Sequence, residues 1–369
     1  MSDRAVKASA MVLAAGAGTR MRSRLPKPLH LLCGRAMLLY VLDALDGLAE
    51  LDRCVVVVGH GAEQVAKKLT DQASHLPLSF VEQIVQRGTG DAVAVGLTAF
   101  SELELDDDEA VMIVLPGDTP LVRTDTISQL VDTHRRAKAG ATVLTARVPD
   151  PTGYGRVIRG RDAQVERIVE HRDADEAERA VDEINTSIYC FRRSLVGPAL
   201  RRIRPDNSQG EYYLTDIVGV LAEAGYPIAA HAIDDADEAA GVNDRHQLAE
   251  AEAELRRRTN ERWQTVGVTL VDPDSTYIDT TVELAPDVTI FPNTLLQGRT
   301  VVAEGAELGP DTRLVDCIVE RDARVEGTNG REAEIGASAV VGPFAVLEAG
   351  ARIPPGGRVA PFTTVGPET

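Results

Sequence analysis

Short, continuous runs of aliphatic residues recur through the first 240 residues of the chain. They read SAMVLAA (9–15), RCVVVVG (53–59), AVMIVLPGD (110–118) and ATVLTARV (141–148). Runs that are apolar throughout, without alternation, are typical of strands in a sheet whose two faces are both covered by helices. The pattern therefore predicts buried strands of a mostly parallel sheet.

Amphipathic segments lie between these runs. In residues 126–139, one face of a helix would carry Ile127, Leu130, Val131 and His134. Strands that alternate with helices predict an α/β domain over residues 8–240. Ligands of such domains bind at the carboxyl ends of the parallel strands.

A polar segment follows this region. Residues 244–263, DRHQLAEAEAELRRRTNERW, are rich in charge and have only a thin apolar stripe from Leu248 and Leu255. The pattern predicts a linking helix rather than a core helix. We therefore predict three parts: a first domain (1–243), a linker helix (244–264) and a C-terminal domain (265–369).

The C-terminal domain has a period of six residues. The aliphatic positions with this spacing are Ile278, Leu284, Ile290, Leu296, Val302, Leu308 and Leu314, then, after a break, Ile335, Val341, Leu347, Ile353, Val359 and Val365. A six-residue period indicates a hexapeptide β-helix, in which every sixth side chain points into a narrow prism. We expect the interruption at 315–334, which contains EGTNGRE, to be a loop that leaves the coil.

Composition narrows the range of partners. The formal net charge of −18 disfavours nucleic acid or an anionic membrane surface as partner, because both reward basic proteins. The four cysteines are far apart in the sequence and suggest neither a zinc site nor a disulfide framework. With no signal-peptide pattern and no apolar run of about 20 residues, the expected location is the cytoplasm.

Cations nevertheless gather at the N-terminus. Residues 1–35 contain seven Lys and Arg residues and one acid, a local charge of +6. They surround LAAGAGTRM (13–21), a glycine-rich turn after a predicted strand, whose bare amides suit a phosphate. Arg20 and Lys27 flank the turn and suit a triphosphate. The alternative interpretation is a solvated basic patch.

Two further residues suggest chemistry. Asp118 ends the strand in MIVLPGDTPL, where a carboxylate could hold Mg²⁺ beside phosphates, although an Asp before Thr-Pro also suits a simple turn. Gln83, in EQIVQRGTGDA, carries a donor and an acceptor that can match the imide edge of uracil. Taken alone, Gln83 is better explained as a surface residue.

Nine motifs occur in an order that resembles a known family. They are LAAGAGTRM, LPKPLH, QRGTGDA, PGDTPL, DPTGYGRVIR, IVEHRDA, EINTSIY, GEYYLTD and GVNDR. The chain resembles the bacterial bifunctional N-acetylglucosamine-1-phosphate uridylyltransferases, whose second half is a β-helical glucosamine-1-phosphate acetyltransferase. The resemblance implies a Rossmann-like nucleotidyltransferase domain, a linker helix and a short left-handed hexapeptide β-helix that forms a homotrimer. It also implies UTP and N-acetylglucosamine 1-phosphate as substrates and UDP-N-acetylglucosamine and pyrophosphate as products.

The resemblance also assigns roles to residues. It makes Arg20, Lys27 and Asp118 catalytic, with Asp118 and Asn243 as ligands of Mg²⁺. The residues expected to bind the nucleotide are Leu13, Ala14, Ala15, Gly16, Gln83, Gly88 and Thr89. Those expected to bind the amino-sugar are Gly155, Glu170, Asn185, Glu211, Tyr213 and Thr215.

The chain departs from the family pattern in both halves. No histidine follows His246 and no lysine follows Lys138, whereas the family's acetyltransferase uses a histidine base and basic residues. Val346 and Glu348 stand near positions where the family usually has arginines, and the chain ends several coils short of a complete second half. We therefore expect no acetyltransferase activity. In the first domain, Asp91, Pro116 and Asp244 replace residues that are usual in the family, so they bear on base selectivity and rate.

Three other functions remain open on the sequence. The first is a nucleotidylyltransferase for another sugar phosphate or nucleotide, such as glucose 1-phosphate or thymidine triphosphate. The second is a non-catalytic regulatory or assembly subunit, which would be expected to lose Asp118 or the cations. The third is a hexapeptide acyltransferase, which the absence of histidine after His246 disfavours.

Overall fold

The computed structural model describes residues 7–72, 76–160 and 163–367. The described residues group into two compact units. The first consists of residues 7–30 and Ala36–Gln247, and the second of Leu31–Arg35 and residues 248–367. The domain boundaries expected from the sequence, at 243/244 and 264/265, stay a prediction.

The first unit is built on a mixed sheet. In chain order, the strands up to residue 233 are β1 (Ala8–Ala14), β2 (Leu31–Leu32), β3 (Arg35–Ala36), β4 (Leu51–Val58), β5 (Leu78–Glu82), β6 (Val111–Pro116), β7 (Ala141–Arg147), β8 (Gly155–Arg159), β9 (Val165–Val169), β10 (Glu183–Arg192) and β11 (Ile228–Ile233). The short pair β2–β3 is separate from this sheet, and its residues Leu31–Arg35 belong to the second unit. The main path runs β11-β7-β10-β6-β1-β4-β5, and β8 pairs with both β10 and β9. Along that path only β10 is antiparallel to its neighbours, so the mostly parallel sheet is confirmed.

Helices cover both faces of this sheet. The helices of the first unit are α1 (Met37–Asp46), α2 (Ala62–Gln72), α3 (Thr89–Gly96), α4 (Glu102–Leu105), α5 (Thr124–Ala137), α6 (Glu176–Arg179), α7 (Arg193–Leu200) and α8 (Asp216–Glu223), and they are followed in the chain by α9 (Arg245–Thr265). Alternate residues of β4 belong to different cores: Val56 packs in the cluster that contains α1 and α5 residues, and Val57 in the cluster with α3 and α7 residues. Two buried faces explain why β4 is apolar throughout.

The face predicted for residues 126–139 is confirmed. In α5 the buried residues are Thr126, Ile127, Leu130, Val131 and His134, which recur at helical spacing. His134 is therefore a core residue of this helix. Its Nδ1 lies 3.0 Å from the hydroxyl of Thr142 on β7.

Most of α9 belongs to the second unit. Its buried residues are Ala251, Thr259, Asn260 and Trp263, whereas Leu248 and Leu255 are only half-buried. The side-chain amide of Asn260 donates to the carbonyl oxygens of Pro273 and Thr276, at 2.8 and 3.1 Å. These contacts, together with the burial of Trp263 in the same core as the coil residues, attach α9 to the first turn of the coil.

The rest of the second unit is a coil of short strands. They are β12 (Thr269–Leu270), β13 (Tyr277–Ile278), β14 (Glu283–Leu284), β15 (Thr289–Ile290), β16 (Leu295–Gln297), β17 (Val301–Val302), β18 (Glu307–Leu308), β19 (Arg313–Val315), β20 (Ile318–Val319), β21 (Arg324–Val325), β22 (Asn329–Arg331), β23 (Glu334–Ile335), β24 (Val340–Val341), β25 (Val346–Leu347), β26 (Arg352–Ile353), β27 (Arg358–Val359) and β28 (Thr364–Val365). Every third strand pairs in parallel, which gives three sheets. This is the predicted left-handed hexapeptide β-helix, and each aliphatic residue of the six-residue pattern is the second residue of a strand, facing inward.

The prediction that residues 315–334 form a loop outside the coil is wrong. β20, β21 and β22 continue the three sheets through this segment. The period is lost because three inward positions come five residues after the previous one: Val319, Gly330 and Ile335. One of these positions, Gly330, also lacks the aliphatic side chain by which the pattern is recognised. A Cβ there would lie only 3.0 Å from Leu314 Cδ2, so a larger residue would be crowded.

Among the described residues, the structure contains no helix that is both long enough and apolar enough to cross a membrane.

Candidate active site

A cavity of about 780 Å³ opens in the first unit at the carboxyl ends of the parallel strands. Segments that follow β1, β5 and β6 line it, as expected for a sheet of this kind. Sixteen of the seventeen residues that the sequence analysis singled out line this one cavity: Leu13, Ala14, Ala15, Gly16, Arg20, Lys27, Gln83, Gly88, Thr89, Asp118, Gly155, Glu170, Asn185, Glu211, Thr215 and Asn243.

The turn after β1 forms one wall. The side-chain amide of Gln86 donates to the carbonyl oxygen of Ala15 at 2.9 Å. The backbone amide of Gly117 donates to the carbonyl oxygen of Leu13 at 2.8 Å. Gly18 has a left-handed φ of 60°, and a Cβ there would lie 2.8 Å from Lys27 Cβ. Glycine is therefore required for the turn to bring its amides and Lys27 together.

Lys27, Asp118 and Asn243 converge at the end of the cavity beside this turn. The Lys27 ammonium pairs with Asp118 Oδ2 and donates to Asn243 Oδ1 at 2.9 Å. The backbone supports the arrangement, since the amide of Val242 donates to the carbonyl oxygen of Asp118 at 2.8 Å. Two oxygen atoms from distant parts of the sequence thus face one cation.

This oxygen pair fits a divalent cation. Mg²⁺ prefers carboxylate and amide oxygens and is commonly held by one or two protein ligands together with phosphates and water. The ammonium of Lys27 already shows that the two oxygens favour a positive charge. Within the described parts of the chain, no cluster of three or more His, Cys, Asp or Glu residues is arranged for a metal.

Arg20 is a second cation at the cavity. It lies in a 3₁₀ turn, Thr19–Met21, and its side chain is exposed. In the described chain, no carboxylate lies within ion-pair distance of it. Its charge is therefore available to a ligand.

The segment after β5 forms another wall. The backbone amide of Gln83 donates to the Val58 carbonyl oxygen at 2.8 Å, which continues the β4–β5 register. Gly88 has a φ of 108°, and a Cβ there would lie 2.5 Å from the Tyr212 carbonyl oxygen. The Thr89 hydroxyl accepts from the Leu214 amide at 3.0 Å. The 88–89 turn is thereby fixed against residues 211–214.

Buried polar groups line the opposite end. Asn185 is buried and Glu170 is half-buried. Desolvation raises the pKa of the Glu170 carboxyl, and Asp216 and Asp173 add to the effect. The Thr215 hydroxyl donates to Glu170 Oε1 at 3.3 Å. The Asn185 amide donates to the phenol oxygen of Tyr189 at 2.8 Å. A carboxylate and an amide held in this way offer directed hydrogen bonds to a polar ligand.

Gly155 lies between these groups. A Cβ there would be 3.2 Å from Ile168 Cγ2 and 3.5 Å from Glu170 Oε2. Glycine thus keeps the space in front of Glu170 open.

Tyr213 does not line the cavity. Its side chain is buried, and its phenol oxygen accepts from the Gln209 side-chain amide at 2.7 Å. Its proposed contact with a ligand stays a prediction. By contrast, the neighbouring residues Glu211 and Thr215 both line the cavity.

Sequence reasoning missed several lining residues with polar side chains. They are Gln86, Thr119, Thr152, Tyr154, Thr186, Ser187, Tyr189 and Gln247. All of them except Gln247 lie inside the nine motifs, so the motif boundaries carried a signal. Gln247 carried none, because its side chain reaches back to accept from the Asn243 amide at 2.8 Å.

Comparisons with known proteins agree with this arrangement. Residues 10–212 match the model of the MobA-like NTP transferase domain. The chain is 47% identical over 329 residues to the bifunctional protein GlmU of Thermobifida fusca, which covers 89% of this chain and 67% of the relative. It is 45% identical over 316 residues to the bifunctional protein GlmU of Shouchella clausii, and the alignment covers 86% of this chain and 67% of the relative. It is 43% identical over 338 residues to the bifunctional protein GlmU of Corynebacterium efficiens, with 91% of this chain and 68% of the relative covered.

Proposed function

Because the chain belongs to the GlmU family and contains its nucleotidyltransferase domain, we propose that it is a UDP-N-acetylglucosamine pyrophosphorylase. In this reaction, an oxygen of N-acetylglucosamine 1-phosphate attacks the α-phosphorus of UTP. The new P–O bond forms as the bond from the α-phosphorus to the bridging oxygen breaks, and pyrophosphate leaves with the electron pair.

The observation that carries the proposal is the convergence of Lys27, Asp118 and Asn243 beside the glycine-rich turn. Both reactants are anions, and negative charge moves onto the leaving pyrophosphate during the reaction. Transfers of this kind depend mainly on positioning and on electrostatic stabilisation. Lys27, Arg20 and the turn amides would supply the positive field, which explains why an acidic chain gathers cations near its N-terminus.

We propose Mg²⁺ as the cofactor, with Asp118 and Asn243 as its protein ligands. When bound, the ion would neutralise phosphate charge. The acidic Asp118 and the neutral Asn243 suit an ion that also takes oxygens from the nucleotide. Lys27 would then pair with phosphate oxygens.

The buried end of the cavity suits the amino-sugar. Glu170 would accept hydrogen bonds from sugar hydroxyls, and Gly155 would leave room for the ring. Asn185, Thr215 and Glu211 would contact the acetamido side, and Tyr213 would support this wall from behind.

We propose that the coils of the second unit do not transfer acetyl groups. Residues 247–369 contain neither histidine nor lysine, so this segment offers no imidazole base and no ammonium for a sugar phosphate or coenzyme A. Instead, the β-helix would hold three copies of the chain together. We further propose the cytoplasm as the place where the enzyme works on its nucleotide substrate.

Pyrophosphate release tests the function. The purified chain is incubated with Mg²⁺ and each pairing of UTP, dTTP, CTP or ATP with N-acetylglucosamine 1-phosphate, glucosamine 1-phosphate or glucose 1-phosphate. We expect the highest kcat/KM for UTP with N-acetylglucosamine 1-phosphate. A higher value for another pairing would assign a different specificity, and no release with any pairing would favour an assembly subunit. Acetyl-coenzyme A with glucosamine 1-phosphate should give no free thiol.

A further inference from the structure

The side-chain amide of Gln83 is held at its nitrogen end by two acceptors. Nε2 donates to Asp91 Oδ2 at 2.7 Å and to the Gly88 carbonyl oxygen at 3.3 Å. An amide nitrogen carries two hydrogens, and this pair of contacts uses both. The reversed amide would place Oε1 against a carboxylate and a carbonyl oxygen, so the network fixes the orientation.

The oxygen end of the same amide stays accessible, because Oε1 is not among the fully buried polar atoms that lack a partner. Gln83 is 4% exposed and lines the cavity wall. In the part of the chain that the structure describes, Oε1 accepts no hydrogen bond. A ligand that reaches Gln83 therefore meets an acceptor and no donor.

We propose that Asp91 is a positioning residue that commits Gln83 to act as a hydrogen-bond acceptor and thereby selects nucleotides whose base carries an imide N3–H. This rests on the proposed function and deepens it. Uracil and thymine present a hydrogen at N3, which Oε1 can accept. Cytosine presents a lone pair at N3, so two acceptors would face each other in a desolvated site.

The fold holds Asp91 in place for this role. Asp91 is the third residue of α3, whose N-terminal residue is preceded by Gly88 in a conformation that favours glycine. The amide of Gly90 donates to the Tyr212 carbonyl oxygen at 2.8 Å, which fixes the start of the helix. A carboxylate in the first turn of a helix is also favoured by the helix dipole.

Base selectivity of single and double variants tests the proposal. kcat/KM is measured for UTP, dTTP and CTP with N-acetylglucosamine 1-phosphate, for wild type, D91A, Q83A and the double variant. We expect D91A to lower the UTP-to-CTP ratio about 10- to 100-fold, the size expected for losing a hydrogen bond to a charged group. The UTP-to-dTTP ratio should change by less than about 2-fold, because both bases carry N3–H.

Two variants serve as controls. D91N keeps a side-chain acceptor for Gln83 and should retain most of the UTP-to-CTP ratio. D125A removes an exposed acid from the first turn of α5, away from the cavity, and should leave both ratios unchanged. If D91A fails to fold, D91G, which also lacks a side-chain acceptor, replaces it in the assay.

The outcomes separate the two proposals. Suppose that wild type prefers UTP over CTP. The role of Asp91 is overturned if D91A keeps this preference. It is also overturned if D91A lowers the UTP-to-CTP ratio by the same factor in the Q83A background as it does when Gln83 is present. The proposed function then stands. If wild type releases pyrophosphate with none of the nucleotides, the proposed function itself fails. If D91A has no further effect on the ratio once Gln83 is alanine, Asp91 acts through Gln83.

Discussion

Asp118 is the residue on which the proposed chemistry depends most. Its carboxylate pairs with Lys27 and lies beside Asn243, and its backbone carbonyl accepts from Val242, so both ends of the residue are fixed. Removing the carboxylate would leave Lys27 without its acidic partner and would remove a proposed metal ligand. We predict that D118A lowers kcat at least about 100-fold, the scale of losing one preorganised charge stabiliser.

The measurement is pyrophosphate release at saturating substrates, together with a Mg²⁺ titration. D118N should need more Mg²⁺ than wild type, because it keeps an oxygen ligand but loses the charge. D132A, which removes an exposed acid of α5, is the matched control. Near-wild-type turnover of D118A would contradict the assigned role.

Glu170 should link stability to pH. Burial raises the pKa of its carboxyl above the ordinary value of 4.5, so the folded state binds this proton more tightly than the unfolded state. Its contribution to stability is thus fully present below about pH 4.5 and is lost as the pH rises through the folded-state pKa. We predict that E170Q melts about 2–4 °C above wild type at pH 8 and that the difference vanishes near pH 4.

Thermal unfolding over a pH series checks this prediction, and E176Q on α6 is the exposed control. The same substitution should raise the KM for the sugar phosphate, because a carboxylate accepts hydrogen bonds more strongly than an amide. If E170Q and wild type melted at the same temperature at every pH, the prediction that the charged Glu170 carboxylate destabilises the folded state would be wrong.

Residue identities in the site were largely predictable, whereas their contacts were not. Lys27 stood out because it flanks a glycine-rich turn, and Asp118 because it ends a predicted strand of a parallel sheet. That Lys27 would bridge Asp118 and Asn243 depends on residues 216 positions apart in the chain, and no local pattern encodes such a contact. Tyr213 shows the converse, since residues on both sides of it in the motif line the cavity but its own side chain does not.

At the scale of elements, α5 and β7 are joined by a buried histidine. Burial lowers the pKa of His134 to about 4, and the nearby Arg192 and Arg135 add to the effect. Because the folded-state pKa lies below the ordinary 6.5, this residue's contribution to stability is present above pH 6.5 and is lost as the pH falls toward 4. We predict that H134Q loses less stability than wild type between pH 7 and pH 5, by on the order of 1–2 kcal/mol.

Urea unfolding followed by circular dichroism at the two pH values measures the difference. Hydrogen exchange of the β7 amides localises it. H231Q on β11 is the control, because His231 is only half-buried whereas His134 is buried. An equal loss of stability in wild type and H134Q would show that His134 does not titrate in this range.

Strands and helices were predictable where one period persists. The apolar runs identified β1, β4, β6 and β7, and the six-residue period identified most of the coil. The coil between Leu314 and Ile335 was missed because corners shortened by one residue shift the phase, and Gly330 removes the aliphatic marker. The backbone of this segment pairs through hydrogen bonds that do not depend on side-chain type. The coil therefore continues even though the six-residue pattern of aliphatic residues is interrupted.

At the scale of the whole molecule, the two units divide the roles. Every residue that lines the cavity belongs to the first unit, and the second unit is a regular coil with a core of aliphatic and small residues. Two successive coils of one sheet carry apolar residues on the outer face. Val301 and Ile318 are adjacent in the register and are 39% and 48% exposed. Adjacent apolar residues on an outer face suggest a surface that another copy of the chain covers.

We predict that the chain is a trimer in solution, with a mass three times that of the 39.6 kDa chain. Charges at both positions should oppose association, because three copies would bring like charges together in a desolvated interface. Light scattering after size exclusion measures the mass of wild type and of V301E/I318E, and we expect the double variant to be a monomer. T269E, on the outer face of another sheet, is the control and should remain trimeric. Pyrophosphate release should persist in the monomeric variant, since the cavity residues all come from one chain. A trimeric V301E/I318E would place the contact on a different face of the β-helix.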